Sequence, residues 1–363
     1  MATKRTGISR ELIIHPGETI ADILCDRNMT QAELAARTDY SSAYVGAIIA
    51  GKKDISTKFA MALEYALGVS KSFWLNLQAR YDAELLEVEQ ADSVTEEEKA
   101  IRKKLNDVVK HLREQKQLSP KESVIDSIIS LRKLLNVSSL CNLAKVHSVS
   151  AFRLRQTNDV DPYILGAWIM MCQMHETTIK PEYRFDPSKI DDLIDNLKSI
   201  MLAEENNPEN SIKATMYEHG LDFEVMHHFH GAPVQGYMYK RSDGVIKICM
   251  TFRGAFADIF WFSLFHELGH LANGDLSKIQ FLDYGVDSEK EKAADRFASE
   301  KLIPQSQYDN FLVQYRKAPN YNTITKFALE QSVKPYIVIG RMQKEKIIKY
   351  SQYSYAKTRY KWK

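Results

Sequence analysis

The 363-residue sequence has few cysteines, little net charge and no long apolar run. Its four cysteines, Cys25, Cys141, Cys172 and Cys249, are scattered without CxxC spacing, which indicates reduced core thiols and not a disulfide framework or a cysteine metal site. The formal net charge of +2 argues against general nucleic-acid coating. Because no apolar stretch could span a bilayer and the N-terminus has no apolar signal region, the sequence predicts a cytoplasmic protein without a membrane partner.

One pentapeptide combines two histidines with a carboxylate. The motif HELGH, from His266 to His270, follows the apolar run FWFSLF, which is too apolar for a surface helix and predicts a buried one. Residues at i and i+4 share a helix face, so both imidazoles can reach one metal while Glu267 points toward the water that the metal would carry. This is the HExxH arrangement of zinc hydrolases, in which general base is the chemical reason for Glu267.

A catalytic zinc needs a third protein ligand. The downstream segment 288–298 offers Glu291 and Asp295 at i and i+4, on a helix whose small residues would allow close packing. We predict that Glu291 binds Zn²⁺ with His266 and His270, while Asp295 accepts a hydrogen bond from the far ring nitrogen of a ligating histidine. The alternative is an accidental HExxH on a core helix, with Glu291 and Asp295 on a solvated charged face.

The last half of the chain resembles a known family. The similar stretches are GAPVQG at 231–236, FWF at 260–262 before HELGH, residues 291–298, and LIP at 302–304. They look like the ImmA/IrrE metallopeptidase domain. The resemblance implies a gluzincin-like fold in which two histidines and a downstream glutamate bind zinc, and a substrate that is often a helix-turn-helix repressor. Ala293 stands where the family often has glutamate, which leaves Glu291 as the better match for the ligand.

The first eighty residues carry an independent set of helix signals. HPGE at 15–18 places proline in the first turn of one helix, and TQAE at 30–33 is a capping box that begins a second. A third helix extends over about 41–50 and ends at Gly51, and further apolar helices follow. About five short helices, with a tight break between the second and third, are the helix-turn-helix plan.

Residues 10–82 resemble the repressor-type domain of HigA-like antitoxins, from HPGE to the closing FWLNLQ at 73–78. The resemblance implies DNA binding at the protein's own promoter or operator. In such a domain Gln31 lies at a helix start that contacts the DNA backbone, and the groove-facing side is lined by Ser41, Ser42, Ala43, Tyr44 and Ala47. Lys52 and Lys53 would meet phosphate.

The groove-facing side of the third helix has no Arg, Asn or Gln to pair bidentately with a base edge. Ser42 and Tyr44 can hydrogen-bond, while Ala43 and Ala47 can only touch a thymine methyl. Affinity would then come mainly from phosphate contacts, and specificity from a homodimer and DNA shape. The alternative is a small helical domain retained for protein contacts or dimerisation.

We therefore expect a mainly α protein with a small sheet, of the α+β class. Its parts are a five-helix DNA-binding domain at 1–82, a helical connector at 83–185 and a gluzincin-like metallopeptidase domain at 186–363. Alternating charges up to about residue 117 predict a solvated helix in the connector. Period-two alternation at 221–226 and 245–250 predicts two strands of a small sheet under the zinc helices.

Two further features of the sequence each allow two interpretations. Three histidines follow the first predicted strand, at positions His227, His228 and His230. In one interpretation they donate hydrogen bonds to a transition state or act as extra metal ligands; in the other they are exposed loop residues. The tail after Arg341 mixes basic and aromatic residues, which either grip nucleic acid or pack inward.

Two functions fit these patterns. The first is a DNA-binding regulator or antitoxin with a zinc metallo-endopeptidase domain that cleaves a repressor or other regulatory protein. The second is a non-catalytic antitoxin or repressor whose zinc domain senses a signal or binds a toxin partner.

Overall fold

The computed structural model describes residues 12–149, 153–154, 160–174, 181–203, 207–251, 256–275, 280–281, 283–284, 289–315 and 319–360. The chain forms two compact units, residues 1–99 with 119–130, and residues 100–118 with 131–363. The three domain boundaries proposed from the sequence stay a prediction. Within the described ranges, no helix is long and apolar enough to cross a membrane.

Residues 12–92 form five helices, as the sequence predicted. They are α1 (Pro16–Asp26), α2 (Gln31–Thr38), α3 (Ser42–Ile49), α4 (Thr57–Leu67) and α5 (Lys71–Asp92). Each helix begins after a residue whose side chain accepts a hydrogen bond from a backbone N–H of the first turn, and these caps are His15, Thr30, Ser41, Ser56 and Ser70. Because such a side chain satisfies a donor that the helix itself leaves unpaired, the helix starts could be read locally.

The core of this unit is apolar and is centred on fully buried Phe59 and Trp74. Gln78 of α5 is also buried, and it joins the helix to the loop that follows α3. Its Oε1 accepts from the backbone N of Ile55 at 2.9 Å, and its Nε2 donates to Asp82 at 2.8 Å. Gln78 therefore connects the loop after α3 to α5.

Five further helices lie between residues 96 and 174: α6 (Glu96–Lys104), α7 (Asn106–Glu114), α8 (Val124–Leu134), α9 (Leu143–Val149) and α10 (Pro162–Met174). The expected solvated helix up to residue 117 is wrong. In this stretch Leu105, Val108, Val109 and Leu112 are buried. Their spacing of three and four residues forms one apolar stripe, and the alternating charges occupy the other faces of the same helices.

The rest of the chain contributes seven helices and the strands, as far as the structure describes it. The helices are α11 (Ile190–Leu202), α12 (Glu209–Glu218), α13 (Ala257–Ala272), α14 (Glu289–Leu302), α15 (Gln305–Tyr315), α16 (Tyr321–Glu330) and α17 (Pro335–Lys344). The strands are β1 (Arg153–Leu154), β2 (Leu221–Met226), β3 (Gly236–Lys240), β4 (Ile246–Thr251), β5 (Gln280–Phe281) and β6 (Asp283–Tyr284).

The larger sheet has the strand order β2-β4-β3-β5. Strands β2 and β4 are parallel, whereas β3 is antiparallel to both β4 and β5, and β1 pairs with β6 in a separate parallel ladder. The two predicted strands are confirmed as β2 and β4. Strand β3 was not predicted from the sequence.

Both faces of the β2-β4 pair are buried. Phe223, Ile248 and other apolar residues of one face belong to the same core as α13. On the other face Lys247 is fully buried and its Nζ lies 2.7 Å from Glu224 Oε2. Asp222, whose Cα is in register with Lys247, accepts from Arg241 Nη1 at 2.8 Å. The alternating polar residues of these strands are thus buried ion-pair partners and not a solvated face.

Candidate metal centre and nucleic-acid interface

The helix that carries HELGH is α13, and almost all of its faces are buried. It packs against α14 through small residues. A Cβ added to Gly269 would lie 3.0 Å from the Cα of Ala294 and 3.2 Å from the Cβ of Phe297. Glycine at this position therefore lets the two helices approach closely, as the small residues of α14 predicted.

The structure brings His266, His270 and Glu291 together. The Nε2 atoms of the two histidines are 3.0 Å apart. One carboxylate oxygen of Glu291 is 3.2 Å from His266 Nε2, and the other is 3.1 Å from His270 Nε2. One atom from each residue lies within 4.8 Å of the other two, which is the separation that a single bound ion requires of its ligands.

Each histidine is oriented by a carboxylate at its other ring nitrogen. His266 Nδ1 is 2.9 Å from Asp295 Oδ1, the predicted partner. His270 Nδ1 is 3.0 Å from Asp275 Oδ2, which the sequence analysis missed, and Lys290 Nζ lies 3.3 Å from the other oxygen of Asp275. The available signal was the turn at Gly274, where the chain reverses so that the Asp275 N–H returns to the carbonyl of His270.

This arrangement leaves a position that favours a cation. Carboxylates at both Nδ1 atoms favour hydrogen there, so the Nε2 atom of each ring faces the Glu291 carboxylate and offers a lone pair when that imidazole is neutral. Burial opposes the charged imidazolium of His266, but hydrogen bonds to Asp295 and Glu291 outweigh it and raise its pKa to about 10. Burial likewise opposes ionisation of Glu291, yet the two histidines lower its pKa to about 2. The carboxylates that favour a protonated imidazole here would equally favour a bound cation.

The donor set fits zinc. Two imidazole nitrogens at i and i+4 with a carboxylate from a second helix match three-ligand hydrolytic sites, which keep a fourth position for water or substrate. The side chains of His266 and Glu291 are 16% and 18% exposed, whereas His270 is 1% exposed. The cluster is therefore reached from the side of His266 and Glu291.

Glu267 lies beside the cluster and is buried. Burial raises the pKa of its carboxyl, and the neighbouring histidines oppose that shift. The first residue of β3, Gly236, packs directly on it, because a Cβ there would lie 2.7 Å from both Cγ and Cδ of Glu267. The packing of Gly236 on Glu267 was not predicted from the sequence, although Gly236 is the last residue of the GAPVQG stretch.

The histidines after β2 do not join this centre. In the part of the chain that the structure describes, the metal-ligand cluster comprises His266, His270 and Glu291. The ring of His227 stacks on His111 with centroids 4.4 Å apart, and burial lowers its pKa. His230 is exposed. His227 therefore packs as an aromatic residue.

The end of the tail packs inward on α13, as one of its two interpretations predicted, whereas Tyr350 and Tyr355 are exposed. Trp261 Nε1 donates to the hydroxyl of buried Tyr360 at 2.7 Å, and the N–H of Ala257 donates to the carbonyl of Thr358 at 3.0 Å. Lys357 Nζ is 2.6 Å from Asp258 in the first turn of α13. Residues 361–363, which the basic aromatic tail also included, lie outside the described residues.

The nucleic-acid interface proposed for the first unit is largely exposed. Gln31 begins α2, and Ser41 and Ser42 begin α3, with the Ser41 hydroxyl accepting from the backbone N of Tyr44 at 3.1 Å. Lys52 and Lys53 follow the turn at Gly51; these residues are exposed, as are Gln31, Ser41 and Ser42.

Tyr44 is only half-buried and differs from the other predicted contacts. Its ring lies 4.7 Å from that of Tyr40 and 5.3 Å from that of Phe59. Its hydroxyl is 3.5 Å from Ser56 Oγ, and Lys53 Nζ lies 4.3 Å from its ring centroid.

Five capped helices with a tight α2-α3 turn define the class as an XRE-type helix-turn-helix domain, which is a DNA-binding class. The model of the Helix-turn-helix family matches residues 20–74. Virulence-associated protein A' of Dichelobacter nodosus is 38% identical over 81 residues, which are 22% of this chain and 70% of that protein. The chain belongs to this helix-turn-helix family.

Two solved structures are also similar to part of the chain. An addiction module antidote protein of a HigA family from Coxiella burnetii is 33% identical, over 23% of this chain and 96% of that one, with a TM-score of 0.21. A Pseudomonas aeruginosa protein in complex with its 18 bp operator DNA is 31% identical, over 20% and 80%, with a TM-score of 0.20. The metallopeptidase resemblance stays a prediction.

Proposed function

We propose that the protein is a cytoplasmic DNA-binding regulator or antitoxin that carries a zinc-dependent endopeptidase domain. The observation that carries the peptidase is the convergence of His266, His270 and Glu291, with buried Glu267 beside them. An HExxH motif on a surface helix, with its carboxylates in solvent, would have had none of these neighbours. The helix-turn-helix family match supports the DNA-binding half.

The first unit binds the protein's own promoter or operator, as a homodimer. Exposed Lys52 and Lys53 supply phosphate contacts, and Gln31, Ser41 and Ser42 lie at the helix starts that approach the duplex. Because these side chains offer few bidentate base contacts, binding depends strongly on charge and therefore on salt.

In the second unit His266, His270 and Glu291 hold zinc, while Asp295 and Asp275 keep the two imidazoles in the orientation that presents Nε2. Zinc supplies a Lewis acid that polarises a carbonyl and lowers the pKa of water.

Glu267 is the general base. Its carboxyl is withdrawn from solvent, which raises its pKa toward the range where a carboxylate both accepts and returns a proton. Because Gly236 has no side chain, the backbone of β3 lies directly against this carboxyl. Glu267 would take a proton from the water whose oxygen attacks the peptide carbonyl, and would deliver that proton to the amine nitrogen released when the C–N bond breaks.

The substrate is a protein, and the resemblance to ImmA/IrrE enzymes favours a helix-turn-helix repressor or another regulatory protein. This chain contains such a domain itself, so cleavage within its own first unit or in a related repressor follows the same recognition. The alternative, a non-catalytic domain that senses a signal or binds a toxin partner, predicts the same metal content but no turnover.

The deciding experiment compares full-length wild type with Glu267→Gln, and with the double variant His266→Ala, His270→Ala as the metal control. Wild type and Glu267→Gln should each hold about one zinc per chain and the double variant none. Against candidate repressors, including the protein's own first unit, Glu267→Gln should lose on the order of a hundredfold or more in cleavage rate and keep promoter binding.

Two results would count against these assignments. Full zinc content in the double variant removes the metal centre. Cleavage by Glu267→Gln at the wild-type rate, or no cleavage of any candidate by wild type, removes the peptidase and leaves the sensing alternative.

A further inference from the structure

We propose that Tyr44 is a positioning residue for DNA binding: its ring fixes Lys53 for a phosphate contact, and its hydroxyl does not read a base. The inference rests on the proposed DNA binding of the first unit. It reassigns Tyr44 from the direct contact that its place on the third helix had suggested.

The ring of Tyr44 is part of a packed aromatic group. Tyr40, at the α2-α3 turn, lies 4.7 Å from it at an interplanar angle of 31°. Phe59 of α4 makes edge contacts with Tyr40 at 5.0 Å and with Tyr44 at 5.3 Å, and Phe59 itself is fully buried. The Tyr44 ring is therefore anchored to the core of the unit, and we call Tyr40, Tyr44 and Phe59 the aromatic pedestal.

Lys53 lies over this pedestal. Its Nζ is 4.3 Å from the centroid of the Tyr44 ring, within the range of a cation–π interaction. The loop that carries it is fixed at both sides, because the N–H of Lys52 donates to the carbonyl of Ala47 at 2.8 Å and the N–H of Ile55 donates to Gln78 at 2.9 Å. An ammonium group has three donors, and the ring covers only one side of it.

The neighbouring lysine provides an internal contrast. Lys52 and Lys53 are both exposed and have the same charge. Among the described residues no aromatic ring lies under the Lys52 ammonium, whereas Tyr44 lies under Lys53. Ordering a long flexible side chain on binding opposes affinity, so the lysine that is already held should contribute more.

The hydroxyl of Tyr44 is directed to a structural neighbour. Its oxygen is 3.5 Å from Ser56 Oγ, the residue whose side chain caps α4. A base-reading tyrosine would need that hydroxyl at the groove, and removing it would change sequence preference. The aromatic pedestal needs only the ring, so phenylalanine should replace Tyr44 without loss of DNA affinity.

The test is a double-mutant cycle on the full chain. Affinity is measured by fluorescence anisotropy at several salt concentrations, with two probes: the DNA upstream of the protein's own coding region and a duplex of scrambled sequence. The variants are Tyr44→Phe, Tyr44→Leu, Lys53→Met, Lys52→Met, and Tyr44→Leu combined with each lysine change. Thermal melting monitors the fold of every variant.

We expect Tyr44→Phe to bind both probes like wild type. Tyr44→Leu should weaken binding about two- to fivefold, the size of an exposed cation–π interaction expressed as an affinity ratio. That loss should vanish in the Lys53→Met background and persist in the Lys52→Met background. Lys53→Met should weaken binding more than Lys52→Met, and each should reduce the salt slope by about one.

Other outcomes overturn the pedestal. They are a selective loss of the upstream probe in Tyr44→Phe, a Tyr44→Leu effect that is independent of Lys53, or equal losses in Lys52→Met and Lys53→Met. If Tyr44→Leu melts early, Tyr44→Phe and the two lysine variants, which leave the core intact, still decide. Failure of wild type to bind either probe refutes the proposed DNA binding itself and is visible before any variant is compared.

Discussion

The helix-turn-helix unit and the metal centre are stabilised at different ranges along the chain. In the first, every one of helices α1 to α5 begins on a side chain that bonds a backbone N–H two or three residues away. In the second, α13 has no side-chain cap. Two of its side-chain hydrogen bonds reach residues distant in the sequence: Trp261 bonds Tyr360, 99 residues on, and His266 bonds Asp295, 29 residues on.

The difference matters because removing the two kinds of contact should cost different amounts of stability. When an exposed helix cap is removed, water replaces part of the lost hydrogen bonding. A buried polar partner that is lost leaves a charge or donor with no substitute, and the penalty is larger. We therefore expect substitutions in long-range contacts of the second unit to have larger effects than those in local contacts of the first.

The largest effect should come from Lys357→Met in the tail. Lys357 and Asp258 are 10% and 8% exposed and form an ion pair at 2.6 Å, so the substitution leaves a buried carboxylate without its partner. We expect a loss of about 3 to 5 kcal/mol in the free energy of unfolding, measured by denaturant titration. Adding Asp258→Asn should recover part of that loss. Equal stability of wild type and Lys357→Met would mean that the tail does not hold α13.

The metal centre should make the stability of the metal-free protein depend on pH. The pKa of His266 is raised from 6.5 to about 10 in the folded state, so its protonation stabilises the fold. The contribution is complete below pH 6.5 and is lost as the pH rises through about 10. In chelator, the free energy of unfolding should fall across this window by an amount on the order of a few kcal/mol.

His266→Ala is the matched control for the pH experiment, because it removes one of two titrating imidazoles and should reduce the pH dependence. His270 stays in the variant; burial opposes its charged form, but hydrogen bonds to Glu291 and Asp275 outweigh burial and raise its pKa as well. A wild-type stability that changes with pH no more than that of His266→Ala would show that the His266 imidazole is not paired as the structure places it.

The smallest effect should come from a local contact, the Thr30 cap of α2. Its hydroxyl accepts from the backbone N of Glu33 at 3.1 Å, and Thr30 is exposed. Thr30→Ala should lower the free energy of unfolding by about 1 kcal/mol, and Thr30→Ser should restore it. A loss as large as that of Lys357→Met would erase the contrast between the two units.

Much of the first unit could be predicted because its signals are short. Proline after His15, the Thr30 to Glu33 capping box and Gly51 after α3 each act within one helical turn. Helices α1, α2 and α3 begin, and α3 ends, within a residue or two of the predicted positions. In the second unit the same applies to β2 and β4, whose alternation marks each strand. The prediction failed at α7. Its alternating charges suggest a solvated helix, but Val108, Val109 and Leu112 form an apolar stripe that is buried.

By itself, the sequence determined the helix starts, the shared face of His266 and His270, and the availability of Glu291 and Asp295 one turn apart. These follow from helix geometry, which depends on spacing alone. Only the tertiary structure decided that Gly236 packs on Glu267, that Trp261 bonds Tyr360, and that Tyr44 lies under Lys53. Each of these contacts depends on how separate segments pack, and its strength depends on burial, which no local pattern encodes.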